Sequence, residues 1–248
     1  MSGHSKWSTI KRKKGAADAK RGKIFSRIVK EIQVAVRDGG PEPEANPRLR
    51  LAIQNAKGAN MPKDNVDRAI SKASHEGSNY QEVTFEGYGP GGVAVYVECM
   101  TDNNNRTVSI IRSIFTKKGG SLGTNGSLSF LFDRKGVFTI PFGHLDREEI
   151  ELELIEAGAE DIEEENDVFI VTSALEDFGN IQKTLDKLGV NAENAELQRI
   201  PNTTKKLDPE SAQKFLKMIE DFEDEDDVQN VYHNLEMTDE LMGILENS

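Results

Sequence analysis

The spacing of hydrophobic positions in this chain changes near residue 80. Before that point, apolar residues recur every three or four positions, which predicts amphipathic helices near residues 18–37, 46–58 and 62–77. After it, apolar and polar residues alternate in several segments, as in the run from Val93 to Cys99, which predicts strands with one buried face. We therefore expect a three-helix module followed by a mixture of strands and helices.

The order of elements beyond residue 80 predicts two α+β domains. Residues 137–140, 146–157, 160–164, 168–172, 175–188 and 195–200 follow a β-α-β-β-α-β order, which is the ferredoxin-like arrangement. The hairpin, helix and strand over residues 82–132 lack a second helix–strand pair, which residues 208–234 would supply. The predicted fold class is α+β, with an N-terminal three-helix domain followed by two ferredoxin-like domains, one inserted in the other. The predicted domain bounds are 1–80, 81–133 plus 203–248, and 134–202.

Charge divides at the same place as the hydrophobic pattern. Residues 1–80 hold 17 Lys and Arg against 8 Asp and Glu, although the whole chain has a net charge of −12. The first 30 residues alone hold ten basic side chains and a single acid, Asp18. Such segregation is typical of a protein that contacts a polyanion with one end. The acidic run 223–227 is expected to be solvated and to repel nucleic acid.

The basic end is predicted to contain an arm and a helix. Residues 1–15 show no hydrophobic period, and Trp7, the only tryptophan, lies among basic residues, where it could stack on a base or anchor the arm to its own domain. In the helix over 18–37, at about 100° per residue, the basic residues lie opposite the apolar ones and form a cationic stripe. The candidate nucleic-acid contacts are Lys6, Trp7, Lys11, Arg12, Lys13, Lys14, Lys20, Arg21, Lys23, Arg27, Lys30, Arg37, Arg48 and Arg50.

The sequence carries no sign of catalysis, so we predict a protein that is not an enzyme. The four histidines are widely separated and show no metal-ligand spacing, and no recognisable nucleophile motif is present. We predict no catalytic residues, no metal site and no cofactor. The single cysteine, Cys99, cannot form an internal disulfide, and no apolar run is long enough to span a bilayer, so we expect a cytoplasmic location without membrane contact.

Several motifs keep their order from end to end of the chain. They are Gly3-His4-Ser5-Lys6-Trp7, Asp18-Ala19-Lys20-Arg21-Gly22-Lys23-Ile24-Phe25, Asn46-Pro47-Arg48-Leu49-Arg50, Met61-Pro62-Lys63-Asp64, Glu86-Gly87-Tyr88-Gly89-Pro90-Gly91-Gly92, Asp102 to Thr107, Gly119 to Thr124, Glu156 to Asp161 and Asp226 to Asn234. In these motifs the chain resembles the YebC family, which includes the mitochondrial translational activator of cytochrome oxidase subunit I.

This resemblance implies a three-domain protein that regulates gene expression. Bacterial members are described as probable DNA-binding transcriptional regulators, whereas other members act in translation at the ribosome. A basic arm without an evident base-reading helix favours rRNA or ribosome engagement, with ribosomal proteins among the candidate partners. A DNA-binding transcriptional regulator is the alternative. A third hypothesis, of another class, is a protein–protein adaptor whose acidic domains dock basic partners.

Overall fold

The computed structural model describes residues 18–141, 146–165 and 167–246. Its helices are α1 (Asp18–Gly39), α2 (Pro47–Gly58), α3 (Lys63–Glu76), α4 (Asn104–Lys117), α5 (Arg147–Glu156), α6 (Phe178–Leu188), α7 (Pro209–Asp224) and α8 (Asp239–Glu246). Its strands are β1 (Gln81–Tyr88), β2 (Ala94–Thr101), β3 (Ser121–Leu122), β4 (Phe132–Pro141), β5 (Ala159–Glu165), β6 (Val168–Ala174), β7 (Asn194–Pro201) and β8 (Val228–His233). Within the described ranges, no helix has the length and apolar character needed to cross a membrane.

Helices α1 to α3 form a small module with its own apolar core. Ile32, Leu49 and Val66, one from each helix, are buried in one cluster. The expected helix start at Asn46 is confirmed: its side-chain oxygen accepts a hydrogen bond from the Leu49 amide at 3.0 Å. The same side chain donates to the carbonyl of Ala35 at 2.7 Å. Asn46 therefore caps α2 and ties it to α1.

The first sheet is built around the hairpin of β1 and β2. These strands pair antiparallel, β3 pairs with β1, and β8 pairs antiparallel with β2, so the strand order is β3-β1-β2-β8. One face of the sheet packs against α4 and α7, where the rings of Phe115 and Phe222 lie 4.9 Å apart. Cys99 is buried in this core, as its alternating position predicted.

The second sheet lies between β3 and β8 in the chain. Its strand order is β5-β6-β4-β7, and β6 pairs antiparallel with both β4 and β5. The core side chains of α5 and α6, including Leu154 and Leu185, pack with those of the strands. The α+β fold class with one domain inserted in another is therefore confirmed. In the first sheet the β1–β2 hairpin is central, and β3 and β8 are the edge strands. The second sheet has the ferredoxin-like order of strands.

By its internal contacts, the chain divides into two compact units. Residues 79–133 and 200–248 belong to one unit, together with the start of α1 up to Lys23. Residues 24–78 and 134–199 belong to the other, so most of the helical module shares a unit with the inserted domain. The division into three domains at the bounds given above stays a prediction.

Candidate nucleic-acid interface

The N-terminal end of α1 carries the described part of the predicted interface. Arg21 is exposed, whereas Lys23 and Arg27, further along the helix, are half-buried. Six predicted contacts of the arm lie outside the described residues: Lys6, Trp7, Lys11, Arg12, Lys13 and Lys14. Lys20 lies on α1, but its side chain is outside the described part. Arg21 is therefore the clearest surface cation at this end of the helix.

The cationic stripe does not continue along the helix as predicted. Lys30, which the helical spacing placed on the exposed side, is only 9% exposed, and Val34 on the same side is fully buried. Periodicity alone predicts one buried face, but every residue from Ile32 to Val36 is buried. Expecting Lys30 to be an open surface contact was therefore wrong, because tertiary packing covers this part of α1 on more than one side.

Two of the predicted arginines are paired with carboxylates within the helical module. The guanidinium of Arg48 donates to both carboxylate oxygens of Glu31, at 2.7 and 3.3 Å, and approaches Asp38 at 3.4 Å. Arg37 donates to Asp38 at 2.7 Å, and this hydrogen bond is the main reason that the pKa of Asp38 lies below its usual range. The carboxylates of Glu31 and Asp38 thus balance the two guanidinium charges, and these arginines are weaker candidates for phosphate contacts.

Arg50, by contrast, remains at the surface. It is exposed, and its Nη1 atom lies 3.4 Å from the carbonyl oxygens of Pro43 and Glu44, which the guanidinium can give up for a stronger acceptor. Further exposed cations occur on α2 and α3, at Lys57, Lys63, Arg68 and Lys72. These four were not in the predicted set, because a single charge on a helix gives no sequence signal that distinguishes a binding residue from a solvated one.

The acidic end of α7 lies beside the start of α1. Lys23 forms an ion pair with Asp224, and both residues belong to the same compact unit. Burial raises the pKa of Glu225, and the carboxylates of Asp226, Asp227 and Asp224 raise it further, whereas Lys23 lowers it. A polyanion that contacts Lys23 would meet this negative potential.

Asp227 is not the solvated side chain that the acidic run predicted. It is buried and accepts hydrogen bonds from the hydroxyls of Thr101 and Thr107, at 3.0 and 2.8 Å. Arg106 donates to it at 2.8 Å and to Asp102 at the same distance. Asp227 therefore joins the start of β8 to the junction of β2 and α4. An acidic run gives no indication of which member turns inward.

A buried glutamate, Glu86, shapes the glycine-rich loop after β3. It is 2% exposed and accepts hydrogen bonds from the amides of Gly126 and Leu128, at 2.7 and 2.5 Å. Its own carbonyl accepts from the Gly123 amide at 2.7 Å. No local pattern indicates this role, because Glu86 resembles any polar residue on the solvent-facing side of a strand. The hydrogen bonds to the loop amides indicate that the Glu86 carboxylate has a structural role.

The described residues contain no cluster of His, Cys, Asp or Glu that could hold a metal ion. His75 is exposed at the end of α3, whereas His233 is buried in the first sheet.

The protein thus consists of a helical module with a basic end and two four-stranded sheets, each packed against helices. Residues 5–76 match the TACO1/YebC protein N-terminal domain, and residues 80–235 match the TACO1/YebC second and third domain. The chain belongs to the TACO1/YebC family.

Relatives of this family cover nearly the whole chain. A probable transcriptional regulatory protein of Geotalea uraniireducens is 53% identical over 244 residues, which are 98% of each chain. One from Idiomarina loihiensis is 51% identical over 250 residues, 99% of this chain and all of the relative. The crystal structure of a conserved hypothetical protein from Aquifex aeolicus superimposes with a TM-score of 0.81 at 47% identity, covering 90% of this chain and 93% of that one.

Proposed function

We propose that this protein regulates gene expression by binding nucleic acid, without a catalytic step, through its basic arm and the start of α1. We propose further that it engages rRNA at the ribosome as a translation factor. The observation that carries the proposal is the concentration of ten basic residues and one acid in the first 30 residues of a chain whose net charge is −12. Phosphate contacts supply most of the affinity in such interfaces.

The ion pairs of the helical module narrow the set of cations that we expect to contact phosphates. Because Arg37 and Arg48 are paired with Asp38 and Glu31, Arg21 and Arg50 are the stronger candidates among the predicted contacts whose side chains the structure describes. Side chains that contact phosphates give affinity without sequence readout. This favours a shape-defined RNA target over a specific operator.

The alternative is a DNA-binding transcriptional regulator. It is favoured by the names of the relatives from Geotalea uraniireducens and Idiomarina loihiensis, which are called probable transcriptional regulatory proteins. Both functions use a cationic surface, so they are distinguished by whether the protein binds RNA or DNA.

Two measurements test the proposal. Fluorescence anisotropy with a labelled rRNA hairpin and a labelled DNA duplex of equal charge compares the full chain with a variant that lacks residues 1–17, which leaves α1 intact. We expect the RNA to bind more tightly and the deletion to weaken both complexes strongly. Unchanged affinity in the deletion variant would overturn the proposed interface, and tighter binding to the duplex would favour the transcriptional alternative.

The second measurement locates the protein in cells. Cell extract is fractionated on a sucrose gradient, with and without nuclease, and each fraction is probed for this chain. We expect it in ribosomal fractions of the untreated extract, and its absence from them would contradict a role at the ribosome.

A further inference from the structure

Helix α5 of the inserted domain is apolar on two sides. Its buried side carries Ile150 and Leu154, which pack in the core of the second sheet. Its outer side carries Leu152 and Ile155, whose exposed fractions are 63% and 52%. Because residues three apart in a helix are surface neighbours, Leu152 and Ile155 lie side by side. The core of the inserted domain does not require either side chain.

A third exposed apolar residue lies near the end of α5. Leu175, which follows β6, is 42% exposed. The turn after α5 meets the segment after β6, because a Cβ atom at Gly158 would come within 2.6 Å of the Asp177 carboxyl carbon. Gly158 also donates to the carbonyl of Ile155 at 3.0 Å. Leu175 therefore lies two residues before the point at which the segment after β6 meets the turn after α5.

The apolar residues are framed by carboxylates. α5 contains five glutamates and one arginine, and Glu148, Glu151 and Glu156 are exposed on its outer side. The arginine, Arg147, forms an ion pair with Glu164 on β5 at 2.5 Å. The outer side of α5 is thus apolar in its centre and negative at its rim.

This combination selects one kind of occupant. Exposed apolar patches with a polar rim mark interaction sites more often than isolated apolar residues do. The glutamates disfavour phosphates and anionic lipid surfaces by charge repulsion. A protein segment with apolar residues on one side and Lys or Arg around them would instead match both the centre and the rim, and the opposite charges would steer its association.

We propose that Leu152, Ile155 and Leu175, with Glu148, Glu151 and Glu156, form a docking surface for a basic amphipathic segment of a partner protein. This docking surface shares no residue with the nucleic-acid interface proposed above, and the proposal does not depend on that interface. An apolar anchor in a charged rim gives the surface both affinity and selectivity, since the anchor residues contribute most of the binding energy.

A binding experiment with a defined probe tests the surface. The probe is a labelled helical peptide of about 18 residues, or about five turns, with leucines along one side and lysines elsewhere. A peptide of the same composition with its leucines scattered around the helix serves as control. The full chain is compared with the double variant Leu152→Gln/Ile155→Gln, in which two exposed side chains change and the core is untouched.

We expect the amphipathic peptide to bind the full chain at least about tenfold more tightly than the scrambled peptide, and the double variant to lose most of this preference. The variant Glu148→Gln/Glu151→Gln/Glu156→Gln should bind more weakly and with less dependence on salt. Its matched control is Glu42→Gln/Glu44→Gln/Glu76→Gln, which removes the same number of exposed charges elsewhere. Equal binding of both peptides, or equal loss in both triple variants, would overturn the proposal.

Photo-crosslinking identifies the natural occupant. A photoreactive phenylalanine at position 152 is introduced into the full chain in cells, and the crosslinked peptides are sequenced. The proposal requires that these peptides come from another protein and carry Lys or Arg around apolar residues. Crosslinks only to neutral or acidic peptides, to nucleic acid, or to a second copy of this chain would contradict it.

Discussion

Asn55 of α2 hydrogen-bonds both backbone groups of Ala195 on β7. Its Nδ2 atom donates to the Ala195 carbonyl at 2.9 Å, and its Oδ1 atom accepts from the Ala195 amide at 3.0 Å. Because β7 lies at the edge of the second sheet, these groups face away from the strand ladder. One side chain of the helical module thus takes the place of a neighbouring strand, and both residues belong to the same compact unit.

Replacing Asn55 with leucine should therefore destabilise the protein. Ala195 is fully buried, so its amide and carbonyl would lose their partners without gaining water. We expect a loss of about 2–4 kcal/mol in the free energy of unfolding, measured with urea. Asn105→Ala, at an exposed site on α4, serves as control and should stay within about 0.5 kcal/mol of the parent. Equal stability of the two variants would show that the Asn55 hydrogen bonds contribute nothing.

Gly58 lies at the end of α2, close to the strand that Asn55 contacts. A Cβ atom there would lie 1.7 Å from the carbonyl oxygen of Glu193. The backbone must move to relieve this clash, so Gly58→Ala should cost about 2–3 kcal/mol. Gly22→Ala is the matched control, because nothing lies within 4 Å of its Cβ position, and it should stabilise α1 by about 0.5–1 kcal/mol. Thermal unfolding should show a lower melting temperature for Gly58→Ala and a higher one for Gly22→Ala than for the parent.

The Glu86 carboxylate should control the order of the glycine-rich loop. Glu86→Ala leaves the amides of Gly126 and Leu128 without their acceptor, and we expect a loss of about 2–4 kcal/mol. Glu86→Gln keeps one acceptor oxygen and should fall between the parent and the alanine variant. Hydrogen exchange of the two amides provides a local measurement. If their exchange rates stay unchanged in Glu86→Ala, the carboxylate does not hold the loop.

Glu225 should make the stability depend on pH. Burial and the neighbouring carboxylates raise its pKa in the folded state, so folding favours the protonated form. The stabilising effect is therefore complete below the unfolded-state pKa and is lost as the pH rises through the raised folded-state pKa. Glu225→Gln should be more stable than the parent at pH 7, and this advantage should disappear as the pH falls toward 4. A constant difference over that range would contradict the raised pKa.

The salt dependence of RNA binding should distinguish Arg21 from Arg48. Removing a cation that neutralises one phosphate lowers the slope of log affinity against log salt by about 0.7–0.9. We expect this change for Arg21→Gln, and a smaller one for Arg48→Gln, because Arg48 is already paired with Glu31. Lys183→Gln, an exposed change of equal charge on α6, should leave the slope unaltered. Equal slopes for all three variants would remove Arg21 from the interface.

Local patterns were sufficient to predict most of the elements and the fold class. Asn46 followed by Pro47 marked the start of α2, because a side-chain cap and a proline at the first helical position act within one turn. The alternation that placed Cys99 inward likewise depends only on neighbours along a strand. The segregation of charge is also a property of the sequence alone, since it is a count along the chain.

Long-range contacts decided which polar residues are available at the surface. Lys30 and Val34 share a helix side that periodicity predicts to be exposed, yet both are buried. Asp227 differs from the neighbouring acids because Thr101, Arg106 and Thr107 approach it from segments more than a hundred residues away. Leu152 and Ile155 are of residue types that usually lie in a core, yet both are exposed. Burial depends on what packs against a residue, and residues distant in sequence supply that packing.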